Sequence, residues 1–215
     1  MNKLKSFLSV VALSVGFSAN ATVIELDGTE VGAYNVDSSY TSFADFYGLN
    51  TVNQWSTALP YAEVNTGVFF VAELNSNLAL FGLFDSYSPV DTDSGSLDFE
   101  YSFNEGNGAY TFVDDADEMS AGSALSFNWG DYYGDGFVLF FDLTRDIDMD
   151  ALVSNVTGLD NGFKFLSFDS NNQASDIALA SGNFNLSVNV PEPTSIAIMG
   201  LSLVGLASLR SRKAK

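Results

Sequence analysis

Cysteine and histidine are both missing from the 215 residues. A chain without cysteine has no disulfides, so its fold must rest on a hydrophobic core. The double absence also excludes Ser-His-Asp and Cys-His nucleophiles, the usual zinc sites, and haem or iron-sulfur ligation. Basic residues are nearly as scarce. Of eight lysines and arginines, six fall near the two ends (Lys3, Lys5, Arg210, Arg212, Lys213 and Lys215), which leaves Arg145 and Lys164 for everything between. Of 27 acids only Glu192 lies in those ends, so residues 22–190 hold 26 acids against two bases, a formal charge of −24. Such a stretch cannot bind nucleic acid by neutralising phosphates, and acidic lipid or polymer repels it unless cations bridge the two. Its natural small partners are cations. This acidity does not mark disorder, because 47% of the chain is hydrophobic and 14% aromatic.

The two ends read as addresses. Lys3 and Lys5 precede an apolar stretch from Phe7 to Phe17, and Ala19-Asn20-Ala21 supplies a small-residue cleavage site with Ala19 and Ala21 at the required spacing. That is the pattern of a signal peptide over residues 1–21, read by the Sec export machinery and removed to leave Thr22 first. At the other end, Pro191 and Pro193 fix φ twice around Glu192 and push Val190 and Glu192 out of the helical region, so a preceding strand must stop there. Ile196 to Leu209 then gives 14 uncharged residues. As a helix they cover about 21 Å, short of a hydrocarbon core of about 30 Å. The four cations that follow hold the C-terminus on the cytoplasmic side, and their stems extend the effective span. Residues 196–209 are therefore expected to anchor the chain transiently in the inner membrane, with the preceding domain outside.

This three-part tail, Val190-Pro191-Glu192-Pro193, a short apolar helix with Gly200 and Gly205, and a basic end, resembles the PEP-CTERM sorting signal, which is similar in plan to Gram-positive sortase signals. The resemblance covers residues 191–215 and the strand end before them. It implies processing near Pro191-Glu192-Pro193 by an exosortase-type membrane protease of a Gram-negative bacterium, followed by surface display. It also implies an association with extracellular polysaccharide and biofilm matrix. Nothing about the fold of the displayed domain follows from it.

For that domain the dominant period is two. Residues 64–74, 78–84, 97–103, 109–113, 124–129, 136–143, 162–168 and 183–190 form short apolar or alternating runs separated by Gly/Asn/Asp/Ser turns. The spacing predicts a single all-β domain over 22–190, an antiparallel β-sandwich or jelly-roll-like fold. Ser42 to Tyr47 and Asp148 to Val156 each predict a short helix capped by Ser or Asp.

Clustered carboxylates are the candidates for chemistry. Acids crowd at Asp91 to Gly95, Asp114 to Glu118, Asp131 to Asp135 and Asp146 to Asp150. Calcium takes six to eight oxygens, and a loop with two or three carboxylates plus carbonyls can begin such a site. Asp131, Asp135, Asp146, Asp148 and Asp150 are the candidate ligands. The last three match the first ligand spacings of an EF-hand, but Ala151 stands at the turn glycine and Thr157 at the bidentate glutamate. Trp129, Tyr132 and Tyr133, set among Gly130, Asp131, Gly134 and Asp135, could form a flat aromatic platform for sugar, with Trp55 and Tyr61 as possible additions. Two carboxylates suffice for glycoside hydrolysis, but no pair stands out among 26 acids and no enzyme is expected. The reading is an exported, surface-sorted structural or adhesive protein of an extracellular polysaccharide matrix. The alternative is a calcium-assisted carbohydrate-binding module, and the third a glycoside hydrolase.

Overall fold

Strands in this chain carry one of two apolar patterns, and the pattern decides which sheet a strand joins. The computed structural model describes residues 22–48, 61–86, 94–113, 123–130 and 134–191. Residues 1–21, everything from Glu192 onward including the helix expected at 196–209, and the acids Asp91, Asp93 and 114–118 lie outside these. The chain opens with β1 (Val23–Leu26), β2 (Thr29–Val31), β3 (Tyr34–Asn35) and the helix α1 (Phe43–Tyr47), followed by β4 (Gly67–Leu74), β5 (Asn77–Phe84) and β6 (Gly95–Glu105). It continues with β7 (Gly108–Val113), β8 (Ala124–Trp129), β9 (Asp135–Phe141), β10 (Ile147–Thr157), β11 (Phe163–Phe168), β12 (Ala174–Leu179) and β13 (Phe184–Asn189). Residues Thr22–Val190 make one compact unit.

Alternating strands build the first sheet, in spatial order β2-β1-β13-β10-β6-β8 with every neighbour antiparallel. Leu97 and Phe99 of β6 face inward between Asp98 and Glu100, and β13 buries Phe184, Leu186 and Val188 while Asn185, Ser187 and Asn189 face outward. One face is wet and the other is core. The second sheet runs β12-β11-β4-β5-β9-β7, and β4 (GVFFVAEL) and β5 (NLALFGLF) are near-continuous apolar runs because both of its faces are covered. On one side Phe69, Phe84, Phe137 and Phe165 meet Phe99, Phe127 and Phe184 of the first sheet. On the other, Val68, Phe70, Phe81 and Leu83 pack under Phe43, Phe46 and Tyr47 of α1. The fold is a sandwich with a helical cover on its second sheet.

The second sheet is not wholly antiparallel. β11 and β3 occupy the same edge of β4 one after the other, and both run parallel to it, Phe163 opposite Gly67 and Tyr34 opposite Ala72. The chain crosses from β2 to β3 at Gly32, whose N–H donates to Ser167 Oγ (3.0 Å). A Cβ there would lie 1.9 Å from the Phe168 carbonyl oxygen, so only glycine permits the crossing. Gly82 serves packing in the same way. Its cross-strand partner Phe137 lays its ring over the missing side chain, 2.3 Å from where a Cβ would sit.

The helix expected at Ser42–Tyr47 is present. Ser42 Oγ accepts the Asp45 N–H (3.1 Å), and Gly48 closes the helix in the left-handed region at φ 95°. The helix expected over Asp148–Val156 is instead most of β10. Ile147, Met149, Ala151 and Val153 all point into the core between the sheets, a two-residue stripe that helix geometry would scatter. Burial of that stripe outweighs whatever capping Asp148 offers.

Candidate functional site

The outer face of the first sheet carries a network of carboxylates, amides and hydroxyls. None of its six strands contains a lysine or arginine. Three of its carboxylates, Asp98, Asp148 and Asp150, accept from neutral donors. Asn185, opposite Asp150 in register, donates Nδ2–H bonds to Asp148 Oδ1 (2.7 Å) and Asp150 Oδ1 (3.1 Å), and Asn104 Nδ2 donates to Asp150 Oδ2 (2.9 Å). These bonds, from Asn185 first and Asn104 second, hold the Asp150 carboxyl below the usual carboxylate range. Farther along, Ser126 Oγ and Asn155 Nδ2 each donate to Asp98 at 2.6 Å and depress it likewise. Asn155 reaches Asp98 from a register irregularity near the end of β10, where its φ of 52° turns the strand. The result is a face on which carboxylates are interleaved with amides and hydroxyls.

Asp146, Asp148 and Asp150 do not form a loop. They precede or occupy alternate positions of β10, and alternate strand residues are spaced about 6.5 Å apart. Asp146 Oδ1 accepts the Val190 N–H (2.7 Å) and ties down the end of β13, while Asp148 and Asp150 share Asn185. Among the described residues no three acids converge as metal ligands would. Asp131, with Tyr132, Tyr133 and Trp55, lies outside the described residues.

Asp135 opens β9 and is 4% exposed, with its Oδ1 accepting the Gly136 N–H at 2.7 Å. Asp85, which the sequence reading passed over, is buried to 2% just past the end of β5, and its Oδ1 accepts the N–H groups of Asn65 (2.8 Å) and Ser86 (2.7 Å). Its signal was an acid closing an otherwise apolar strand. Trp129 is 4% exposed and stacks on Phe84 with ring centroids 6.4 Å apart. It is a core residue at the inward parity of Leu125 and Phe127, which corrects its reading as an exposed sugar platform. Tyr61 likewise packs edge-on against Tyr34 and Phe168 at the margin of the helix-covered core.

Two further features stand on the second sheet. Lys164 is clamped between Glu63 (2.5 Å) and Asp176 (3.1 Å). A groove of about 390 Å³ opens beside the β4–β5 turn, between Thr41, Ser42 and Asn77 and the apolar Leu74, Leu78 and Phe140, with no charged residue in its lining.

Strand β13 ends at Asn189 and Pro191 follows two residues on. The protein-family model for the PEP-CTERM protein-sorting motif matches residues 189–213. The tail is a PEP-CTERM protein-sorting motif. The PEP-CTERM motif implies export, processing by an exosortase and sorting to the cell surface. It begins on the last residue of β13, so the sorting signal starts where the sandwich stops. No curated protein matches the chain.

Proposed function

We propose that the acidic sandwich is the cargo of its sorting signal, displayed at the cell surface as a structural or adhesive component of an extracellular polysaccharide matrix. The observation that carries this is the junction itself: the PEP-CTERM motif starts at the final residue of β13, with no intervening module. The outer face of the first sheet supports it. Sugar hydroxyls both donate and accept, and a surface alternating carboxylate acceptors with Asn and Ser donors matches that dual capacity. The role is non-catalytic. A calcium-assisted version of the same adhesion finds support in Asp148 and Asp150, whose carboxylates are close enough to share one Asn185 amide. Calcium tolerates such irregular oxygen sets, whereas magnesium demands a tight octahedron.

Co-sedimentation of the exported protein with matrix polysaccharide from the producing cells tests both versions. Retention in plain buffer that is lost in Asp148→Asn/Asp150→Asn supports the face as the adhesive surface. Retention raised by calcium but not by equal magnesium supports the calcium version. No retention under any of these conditions overturns the adhesive reading.

A further inference from the structure

Val190 is the last residue of the compact unit and lies one position past β13. Both ladders that hold β13 have run out there, since their last pairs are Val23 opposite Asn189 on one side and Ile147 opposite Val188 on the other. Val190 is held all the same. Its side chain packs against the core between the sheets, and its N–H donates to Asp146 Oδ1 at 2.7 Å. Asp146 is placed for this by β10, which begins at the next residue and pairs with β13 from Ile147 onward. A side-chain oxygen takes the amide that lies beyond both ladders.

The chain changes character at the next bond. Pro191 has no N–H to donate, so Val190 supplies the last backbone donor before the Pro-Glu-Pro element begins. The sorting motif spans residues 189–213, and its first two residues, Asn189 and Val190, are therefore still bound into the sandwich. Proteolysis favours backbone that is neither buried nor hydrogen-bonded, and strand ends supply such backbone by fraying. Release of Val190 would expose the strand behind it. Asn189 is exposed and has a register partner on one side only, so an opening that starts at Val190 passes next into β13.

We propose that Asp146 is a positioning residue for tail processing: by holding the Val190 N–H it fixes the upstream limit of the segment that the exosortase engages. Cleavage then falls at or after the Val190–Pro191 bond, and β13 is spared. Asp146 acts through Val190 and contacts no bond that is cut. Its role is that of an acceptor, which an amide oxygen at the same place fills as well as a carboxylate does. The inference rests on the sorting motif and is independent of the matrix role.

The full chain expressed in the producing cells tests it in three forms: unaltered, Asp146→Asn and Asp146→Ala. Mass spectrometry of the exported protein reads the C-terminal ends, and hydrogen exchange on the same material reads the Val190 amide. In the unaltered and Asn forms the ends are expected at Val190 or beyond, with equal exchange at that amide. In Asp146→Ala the Val190 amide exchanges about fivefold faster, as the loss of one ordinary hydrogen bond gives, and a share of the chains ends upstream of Val190. Those upstream ends disappear in cells that lack the exosortase. Unchanged ends or unchanged exchange in Asp146→Ala, an Asn form that behaves like the Ala form, or upstream ends that persist without the exosortase overturns the proposal.

Discussion

Asp98 and Lys164 set opposite ends of the pH range. Hydrogen bonds from Ser126 and then Asn155 depress the Asp98 carboxyl, so its folded value lies below the ordinary one of about 3.9. The stability it contributes is present above that value and is lost as pH falls through the depressed one. For Lys164, burial pulls the ammonium down, but the hydrogen bonds to Glu63 and Asp176 outweigh it and raise the group. Its contribution is present below about 10.4 and is lost as pH rises through the raised value. Thermal melts across pH check both. Relative to the unaltered protein, Asp98→Asn narrows the loss of melting temperature below about pH 4, and Lys164→Met narrows it above about pH 10. Taking differences between variants removes the charge relief that all the acids share on protonation. A variant curve parallel to the original at both ends contradicts the assignment. At this scale the sequence shows parity better than environment. Trp129 sits two residues beyond Phe127 and four beyond Leu125 on β8, so its inward direction was readable, but its glycine-rich neighbours drew it toward the surface. The burial of Asp85 was harder to read than its place at the end of an apolar strand, because the Asn65 N–H that meets it comes from 20 positions away.

Among the elements, the long apolar or alternating runs were legible because each states its own period. β4, β5 and β9 carry near-continuous apolar runs and are buried on both faces, and β6, β8 and β13 alternate and are half-buried. The short strands β1, β2 and β3, and β12 with its small and polar residues, carry too little apolar pattern to announce themselves. β10 was misread because its Asp-rich start resembles a helix cap, although the period-two stripe from Ile147 to Val153 was in the sequence. Leu152 separates the two readings. A helix would place it beside Met149 in the core, whereas the strand leaves it 47% exposed opposite Glu100. Leu152→Asn should change stability by no more than about 0.5 kcal/mol, as surface substitutions do. Met149→Asp should prevent folding, since an unpaired buried charge costs several kcal/mol against a total of about 5 to 15. Urea denaturation of the two variants decides it, and a large loss in Leu152→Asn contradicts the strand register.

For the whole molecule, sandwich class and sorting were legible from local signals, whereas sheet order was not. The pairing partners are far apart in sequence: Asp27 Oδ1 accepts the Asn185 N–H across 158 positions, and β3 reaches β4 only because Gly32 passes the Phe168 carbonyl. Patterns of two residues cannot encode such partners. The tail is different, since Pro191-Glu192-Pro193, the apolar run and the basic end are contiguous and their meaning does not depend on the fold. The PEP-CTERM motif implies sorting of the domain to the cell surface, and the signal-peptide pattern of residues 1–21 carries the further expectation that the domain is cut free of both ends. Intact-mass measurement of the protein recovered from the surface of the producing cells tests this most directly. The predicted result is a chain that begins at Thr22 and lacks Ile196 to Lys215; recovery of a released, soluble chain that still carries that tail would contradict it.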